Sequence, residues 1–190
     1  MYLFFDTETT GLPKNWRAPV TNVDNWPRLV QLAFLSFDSK GTQLSSGDYI
    51  IKPEGFVIPP DASRIHGITT ERAVQEGKPL LTTLEYFSKL VGEADILVAH
   101  NMSFDEKIVG AELIRAGMPN DLPSKQRICT MEKTTNFCAI EGPYGYKWPK
   151  LVELYYKLFG KKFREEHNAA IDIQATAQCF WELKKLGILE

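Results

Sequence analysis

The hydrophobic pattern of this chain changes its period once, on either side of Pro59-Pro60. Before that point apolar residues come in short runs bounded by turn residues. These are residues 2–5 (YLFF), 29–37 (LVQLAFLSF) and 48–52 (DYIIK), with Ser39-Lys40-Gly41 as a turn signal between the last two. Three such runs in succession predict an antiparallel meander. Beyond it, Leu80, Leu84, Phe87 and Val91 recur at helical spacing. An apolar strand follows at 95–100 (DILVAH). A helix is then predicted from about Phe104 to Ala116, introduced by Ser103 and Glu106 as a capping box and stopped by Gly117. Residues 128–130 are expected as a fifth short strand. Leu151, Leu154, Tyr155 and Leu158 mark a helix ended by Gly160, and a last helix runs from about Ala169 to Leu186. Strands first and helices interleaved later predict an α/β domain with a mixed five-stranded sheet flanked by helices.

At 190 residues the chain suits one domain, residues 1–190, and suits two poorly. It carries no internal repeat or low-complexity segment. The apolar runs are strand-length, so no membrane partner is expected, and MYLFFDTE lacks the basic start of a secretory signal. Cys129, Cys138 and Cys179 have no metal-ligand spacing and read as core thiols of a reducing compartment, which predicts a cytoplasmic location. The net charge of −2 gives no support for coating a duplex.

Asp6 and Glu8 end the first strand two residues apart, so both carboxylates point to one face. Two close carboxylates raise each other's pKa unless a positive charge lies between them, and hard divalent cations take oxygen ligands. Alone, the pair also reads as a solvated strand end. Asp105 falls in the first turn of its helix and Asp172 near the start of the last one, where the helix dipole by itself favours an acid. His167 precedes Asp172 by five residues, which in continuous helix would turn the two about 140° apart. With Asn168 as N-cap, His167 stands on the flanking loop and the two side chains can meet.

FFDTETTGL (4–12), HNMSFD (100–105) and HNAAID (167–172) resemble, in order, the three motifs of the DnaQ-like (DEDDh) 3′–5′ exonucleases, which have a ribonuclease H-like fold. RIHGIT (64–69) is similar to a segment of the proofreading epsilon subunit of bacterial DNA polymerase III. The resemblance spans residues 2 to about 183 and implies a single 3′–5′ exonuclease domain. It implies that Asp6, Glu8, Asp105 and Asp172 hold two divalent cations, Mg²⁺ or Mn²⁺, about 3.5–4 Å apart, with Asp6 bridging them. His167 would take the proton of the attacking water, and nucleoside 5′-monophosphates would leave from the 3′ end. Two such ions would carry the net charge from −2 to +2.

The same resemblance assigns substrate contacts to Thr7, Thr9, Leu12, Asp61, His66, Asn101 and Phe104. Asp61 reads equally as a turn residue, and His100 reads as structural. Implied partners are single-stranded or frayed 3′ ends of DNA, with RNA as the alternative, and the catalytic subunit of DNA polymerase III. An RNA-trimming enzyme of the oligoribonuclease or RNase T type is the competing activity, and a non-catalytic nucleic-acid-binding domain the competing class. Two positions depart from the family pattern. Asn168 stands where many relatives have Asp, and Gln31 where many have Glu. Trp16 and Trp26, in a polar loop, read as sheet-edge packing or as base-stacking groups. The basic segment Lys147, Lys150, Lys157, Lys161, Lys162 and Arg164 reads as a solvated face or a phosphate track.

Overall fold

A computed structural model describes residues 1–161, 163 and 168–189. The meander is formed by β1 (Tyr2–Thr9), β2 (Leu29–Phe37) and β3 (Gln43–Ile50). β4 (Ile96–Ala99) and β5 (Gln126–Cys129) complete a sheet of order β3-β2-β1-β4-β5. β1–β2 and β2–β3 are antiparallel, and β1–β4 and β4–β5 are parallel. β2 is buried along its whole length, as a central strand covered on both faces must be.

The helices are α1 (Pro60–His66), α2 (Thr70–Glu76), α3 (Leu80–Glu93), α4 (Met102–Arg115), α5 (Thr130–Lys133), α6 (Thr135–Cys138), α7 (Leu151–Phe159) and α8 (Ala169–Lys185). A two-stranded hairpin, β6 (Glu141–Gly142) with β7 (Gly145–Tyr146), lies between α6 and α7. Two packed layers flank the sheet. On one face Leu3, Phe5, Leu32 and Phe34 meet α3 and α4 through Leu84, Phe87, Ile108 and Val109. On the other, Phe4, Ala33 and Leu35 meet α8 through Ile173, Ala177 and Phe180. This is the expected ribonuclease H-like arrangement of a mixed five-stranded sheet between helices. All three cysteines are buried and unpaired, and burial pushes the Cys179 thiol up to about 12. Among the described residues no helix is long and apolar enough to cross a membrane.

Several boundaries differ from the sequence reading, each for a local reason. β1 continues past Phe5 to Thr9, because pairing with β2 carries on through Asp6↔Ala33 and Glu8↔Gln31. β3 begins at Gln43, not Asp48. It is an edge strand whose polar first half is defined by pairing rather than by burial. Gly47 is required there, because a Cβ would lie 2.4 Å from the Phe34 ring. The capping box at Ser103 does not form. The chain turns from β4 into α4 through Asn101, at φ 148°, so Ser103 is already inside the helix. Glu106 pairs instead with Arg127 of β5, at 2.8 Å. Thr130 starts α5 rather than ending β5. Gly117 and Gly160, both at positive φ, do follow the ends of α4 and α7.

Candidate active site

The pleat of β1 sorts its side chains between the two layers. Leu3, Phe5, Thr7 and Thr9 share one face, and Phe4, Asp6 and Glu8 share the other. Phe4 stacks edge-on against Phe180 of α8, with ring centroids 5.0 Å apart, so Asp6 and Glu8 continue the face that α8 covers. Asp172 lies in the first turn of that helix. The result is a trio, Asp6, Glu8 and Asp172, whose carboxylate oxygens all lie within 4.8 Å of one another. Each of the three is partly exposed, so the trio is open to solvent on one side.

Asp105 reaches the same region from the opposite face. Thr7 points away from Asp6 and Glu8 and donates to Asp105 Oδ1 twice, from its backbone N–H at 3.0 Å and from its hydroxyl at 2.7 Å. Asp105 is buried in the first turn of α4. It is not one of the trio, but its charge is felt at both Asp6 and Glu8. Thr7 thus fixes the fourth carboxylate through one of its two oxygens. Thr7→Val, which removes the hydroxyl bond and keeps the shape, is expected to lower metal affinity or activity by roughly 10–100-fold. Titration calorimetry with Mn²⁺ beside turnover checks this, and wild-type values for both would refute the positioning role.

The electrostatics are those of a site short of positive charge. Burial pushes the Asp6 carboxyl well above its ordinary range, and the charges of Asp105, Asp172 and Glu8 push it further. Burial, then Asp172 and Asp105, raise Glu8 to about 8. Asp105 is raised to about 7, chiefly by burial, against the two Thr7 bonds that lower it. A donor set made only of carboxylate oxygens fits a hard divalent cation. Such an ion would remove the mutual repulsion that raises these groups. Asp6, Glu8 and Asp172 could therefore hold a metal ion.

Two residues whose positioning roles the sequence did not reveal hold these acids in place. One is Thr7, whose bond to Asp105 joins residues 98 apart in the chain. The other is Gln31, which lies opposite Glu8 in the sheet. Its amide donates to Asp48 Oδ1 at 2.6 Å, and its Oε1 accepts the Ala169 N–H at 3.3 Å, holding the start of α8. A Glu at this position could not donate to Asp48 when ionised. Neither role has a motif to betray it, since each depends on a partner far away in sequence. Asn168 does cap α8, accepting the Ala170 N–H at 2.9 Å.

The predicted substrate residues are distributed unevenly. Thr9 is buried, and its hydroxyl donates to the Gly11 carbonyl at 2.6 Å, shaping the turn after β1. Leu12, in that turn, is 73% exposed. Phe104 is partly buried beneath the exposed Trp16, with ring centroids 5.7 Å apart. Trp26, by contrast, is a core residue that donates to the Pro19 carbonyl. Asn101 occupies the strained turn into α4. His66 is buried at the end of α1, where its Nδ1 accepts the Ile68 N–H at 3.1 Å, which leaves the proton of the neutral ring on Nε2. Asp61 sits on the exposed surface of α1 in an ion pair with Arg64. His100 has both ring nitrogens occupied, by Thr130 Oγ1 at 2.9 Å and the Pro149 carbonyl at 3.0 Å. His167, Lys162 and Arg164 lie outside the described residues.

Comparison with known proteins gives the same reading at the level of family. A DNA polymerase III PolC-type from Listeria innocua serovar 6a is 27% identical over 188 residues, which cover 97% of this chain and 11% of the polymerase. The PolC-type polymerase of Lactococcus lactis subsp. lactis is 29% identical over 181 residues, covering 93% of this chain and 10% of the polymerase. The chain thus spans about a tenth of the length of these relatives. Among solved structures, E. coli exonuclease I in complex with a dA16 oligonucleotide superposes with a TM-score of 0.75 at 19% identity, over 97% of this chain and 40% of that one. The zinc-bound complex of the same enzyme with single-stranded DNA gives 0.75 at 21% identity, with the same coverage. At such identities the likeness is one of fold. The pattern of the family described as "Exonuclease" (RNase_T) matches residues 3–180, and this chain, with its three clustered carboxylates, belongs to that family.

Proposed function

We propose that this chain is a metal-dependent 3′–5′ exonuclease that removes nucleoside 5′-monophosphates from single-stranded or frayed DNA ends. The observation that carries this reading is the convergence of Asp6, Glu8 and Asp172 within 4.8 Å, with Asp105 fixed beside them by Thr7. In this reading Asp6, Glu8, Asp105 and Asp172 would together hold two divalent cations, Mg²⁺ or Mn²⁺. When bound, such a pair supplies the charge that activates an attacking water and stabilises the departing 3′ oxygen.

The remaining work falls to side chains of the chain. His167 takes the proton from the attacking water. The water oxygen bonds to the terminal phosphorus as the bond from phosphorus to the 3′ oxygen of the preceding nucleotide breaks. Leu12 packs against the terminal base, Thr7 and Thr9 line the terminal nucleotide, and Asn101 and Phe104 shape the pocket floor. His66 holds the terminal nucleotide, and Asp61 would need to leave its ion pair to reach a 3′ hydroxyl. DNA is preferred over RNA as substrate because the sequence relatives are DNA polymerases. RIHGIT adds the reading of a proofreading, epsilon-like role beside a polymerase catalytic subunit.

The test is to incubate 5′-labelled DNA and RNA of one sequence with the protein in Mg²⁺ or Mn²⁺, with Asp6→Asn as the contamination control. A ladder shortening from the 3′ end of DNA, absent in the variant, is the expected result. A ladder on RNA alone would keep the chemistry and overturn the substrate. No ladder with either metal would overturn the enzyme reading. His167→Ala should then slow hydrolysis by roughly 10²–10⁴-fold and flatten the rise in rate between about pH 6 and 8. An unchanged pH profile would remove His167 as the base.

A further inference from the structure

The β6–β7 hairpin and the residues just after it carry three aromatic side chains that the described residues leave largely exposed. Tyr144 at its tip is 103% exposed relative to an extended reference, Tyr146 53%, and Trp148 just beyond it 60%. Exposing three large rings within five residues forfeits several buried surfaces that a purely structural hairpin would use. Its core-facing contacts come from elsewhere. Lys147, between Tyr146 and Trp148, turns inward, donating its backbone N–H to the Ile140 carbonyl at 2.9 Å and pairing with Glu153 of α7 at 2.6 Å. The Lys150 N–H is accepted by the same carboxylate at 2.7 Å. Pro149 is buried, and its carbonyl accepts from His100 Nε2 at 3.0 Å. Burial lowers the His100 ring to about 4, against the Pro149 bond, which raises it. The base of the hairpin is fixed while its aromatic tip faces solvent.

The anchor also fixes where the hairpin stands. β1 and β4 are paired in parallel, so the ends of both strands, with Asp6 and Glu8 on β1 and His100 just after β4, lie toward the same edge of the sheet. The hairpin is therefore tied to the β5 side of the carboxylates. A 3′ end held at the carboxylates has the rest of its strand on the 5′ side, and surfaces beside the site are within reach of those nucleotides. Aromatic rings stack on bases of any sequence, and the exposed Lys150 beside them can meet the backbone phosphates.

We propose that Tyr144, Tyr146 and Trp148 form a stacking platform for the single strand 5′ to the scissile bond, with Lys150 as its phosphate contact. This rests on the exonuclease reading above. It gives the enzyme a preference for longer single strands that the carboxylate site alone does not supply.

The experiment compares wild-type protein with the double variant Tyr144→Ala/Trp148→Ala. It measures kcat/KM for a twelve-residue oligothymidylate and for the dinucleotide, both in Mg²⁺. The expected result is that the ratio of the two constants falls by at least roughly tenfold in the double variant, while Tyr144→Phe/Trp148→Phe, which keeps both rings, retains the wild-type ratio. An equal ratio in all three proteins would overturn the platform and leave a protein partner as the occupant of the hairpin. If the wild type cleaves neither substrate, the exonuclease reading fails by itself. Anisotropy of the labelled twelve-residue strand, in Ca²⁺, then decides the platform separately: weaker binding by the Ala variant supports it, and equal binding overturns it.

Discussion

Asp6→Asn is expected to abolish hydrolysis and, in EDTA, to raise the melting temperature. The two effects have one cause. Asp6 stands at the centre of a carboxylate group in which burial and three neighbouring charges already disfavour its ionised form. Without a cation, replacing it by a neutral isostere relieves repulsion. With a cation, the same replacement removes one of the three carboxylates that could hold it. Mg²⁺ should therefore stabilise the wild type in a thermal melt and stabilise the variant far less. The pH dependence carries a definite sign. Glu8 rises from 4.5 to about 8 and Asp105 from 3.8 to about 7 on folding, so the metal-free folded state binds more protons than the unfolded chain between those limits. Their contribution to stability is complete below about pH 4 and is lost as pH rises through about 7 to 8. Saturating Mg²⁺ should flatten that decline. A wild type whose melting temperature in EDTA does not fall over this range, or an Asp6→Asn protein that still cuts, would contradict the account.

Glu112→Ala is expected to be the most damaging single change to stability away from the site. Glu112 is fully buried on α4. Its Oε1 accepts from Arg28 Nε at 2.8 Å and the Leu29 N–H at 3.0 Å, and it pairs with Arg115 Nη1 at 2.9 Å. Arg115 in turn donates to the carbonyls of Val23 and Trp26. One carboxylate thus ties the loop before β2 to the helix that carries Asp105. Removing it leaves two partly buried guanidinium groups unpaired, at a cost of roughly 3–5 kcal/mol. The melting temperature should fall by on the order of 10 °C. Activity should suffer as well, because Arg28 also exchanges backbone and hydroxyl bonds with Thr10, in the turn that follows Glu8. A shift within about 2 °C would show that the pair of arginines finds other partners.

What could be read from the sequence was what depends on near neighbours. The five strands, the long helices and the stops at Gly117 and Gly160 follow from periodicity and turn chemistry confined to a few residues. The carboxylates of β1 could be paired because strand geometry alone puts Asp6 and Glu8 on one face. The departures arise where a distant partner decides. Glu106 matched a capping box and yet pairs with Arg127 on a neighbouring strand. The polar residues 43–47 gave no strand signal because they belong to a sheet edge. α1 and α2, seven residues each, are too short to display a period. The same logic hid Thr7 and Gln31, whose roles exist only once Asp105 and Ala169 have arrived beside them.

The carboxylates are contributed by β1, α4 and α8, and α8 begins only at Ala169. A ribosome therefore joins Asp6 and Glu8 well before Asp172. Until α8 has emerged and packed against Phe4, the growing polypeptide has two acids on an open sheet face and no trio. A polypeptide ending before Ala169 is thus expected to lack the trio that could hold a metal ion.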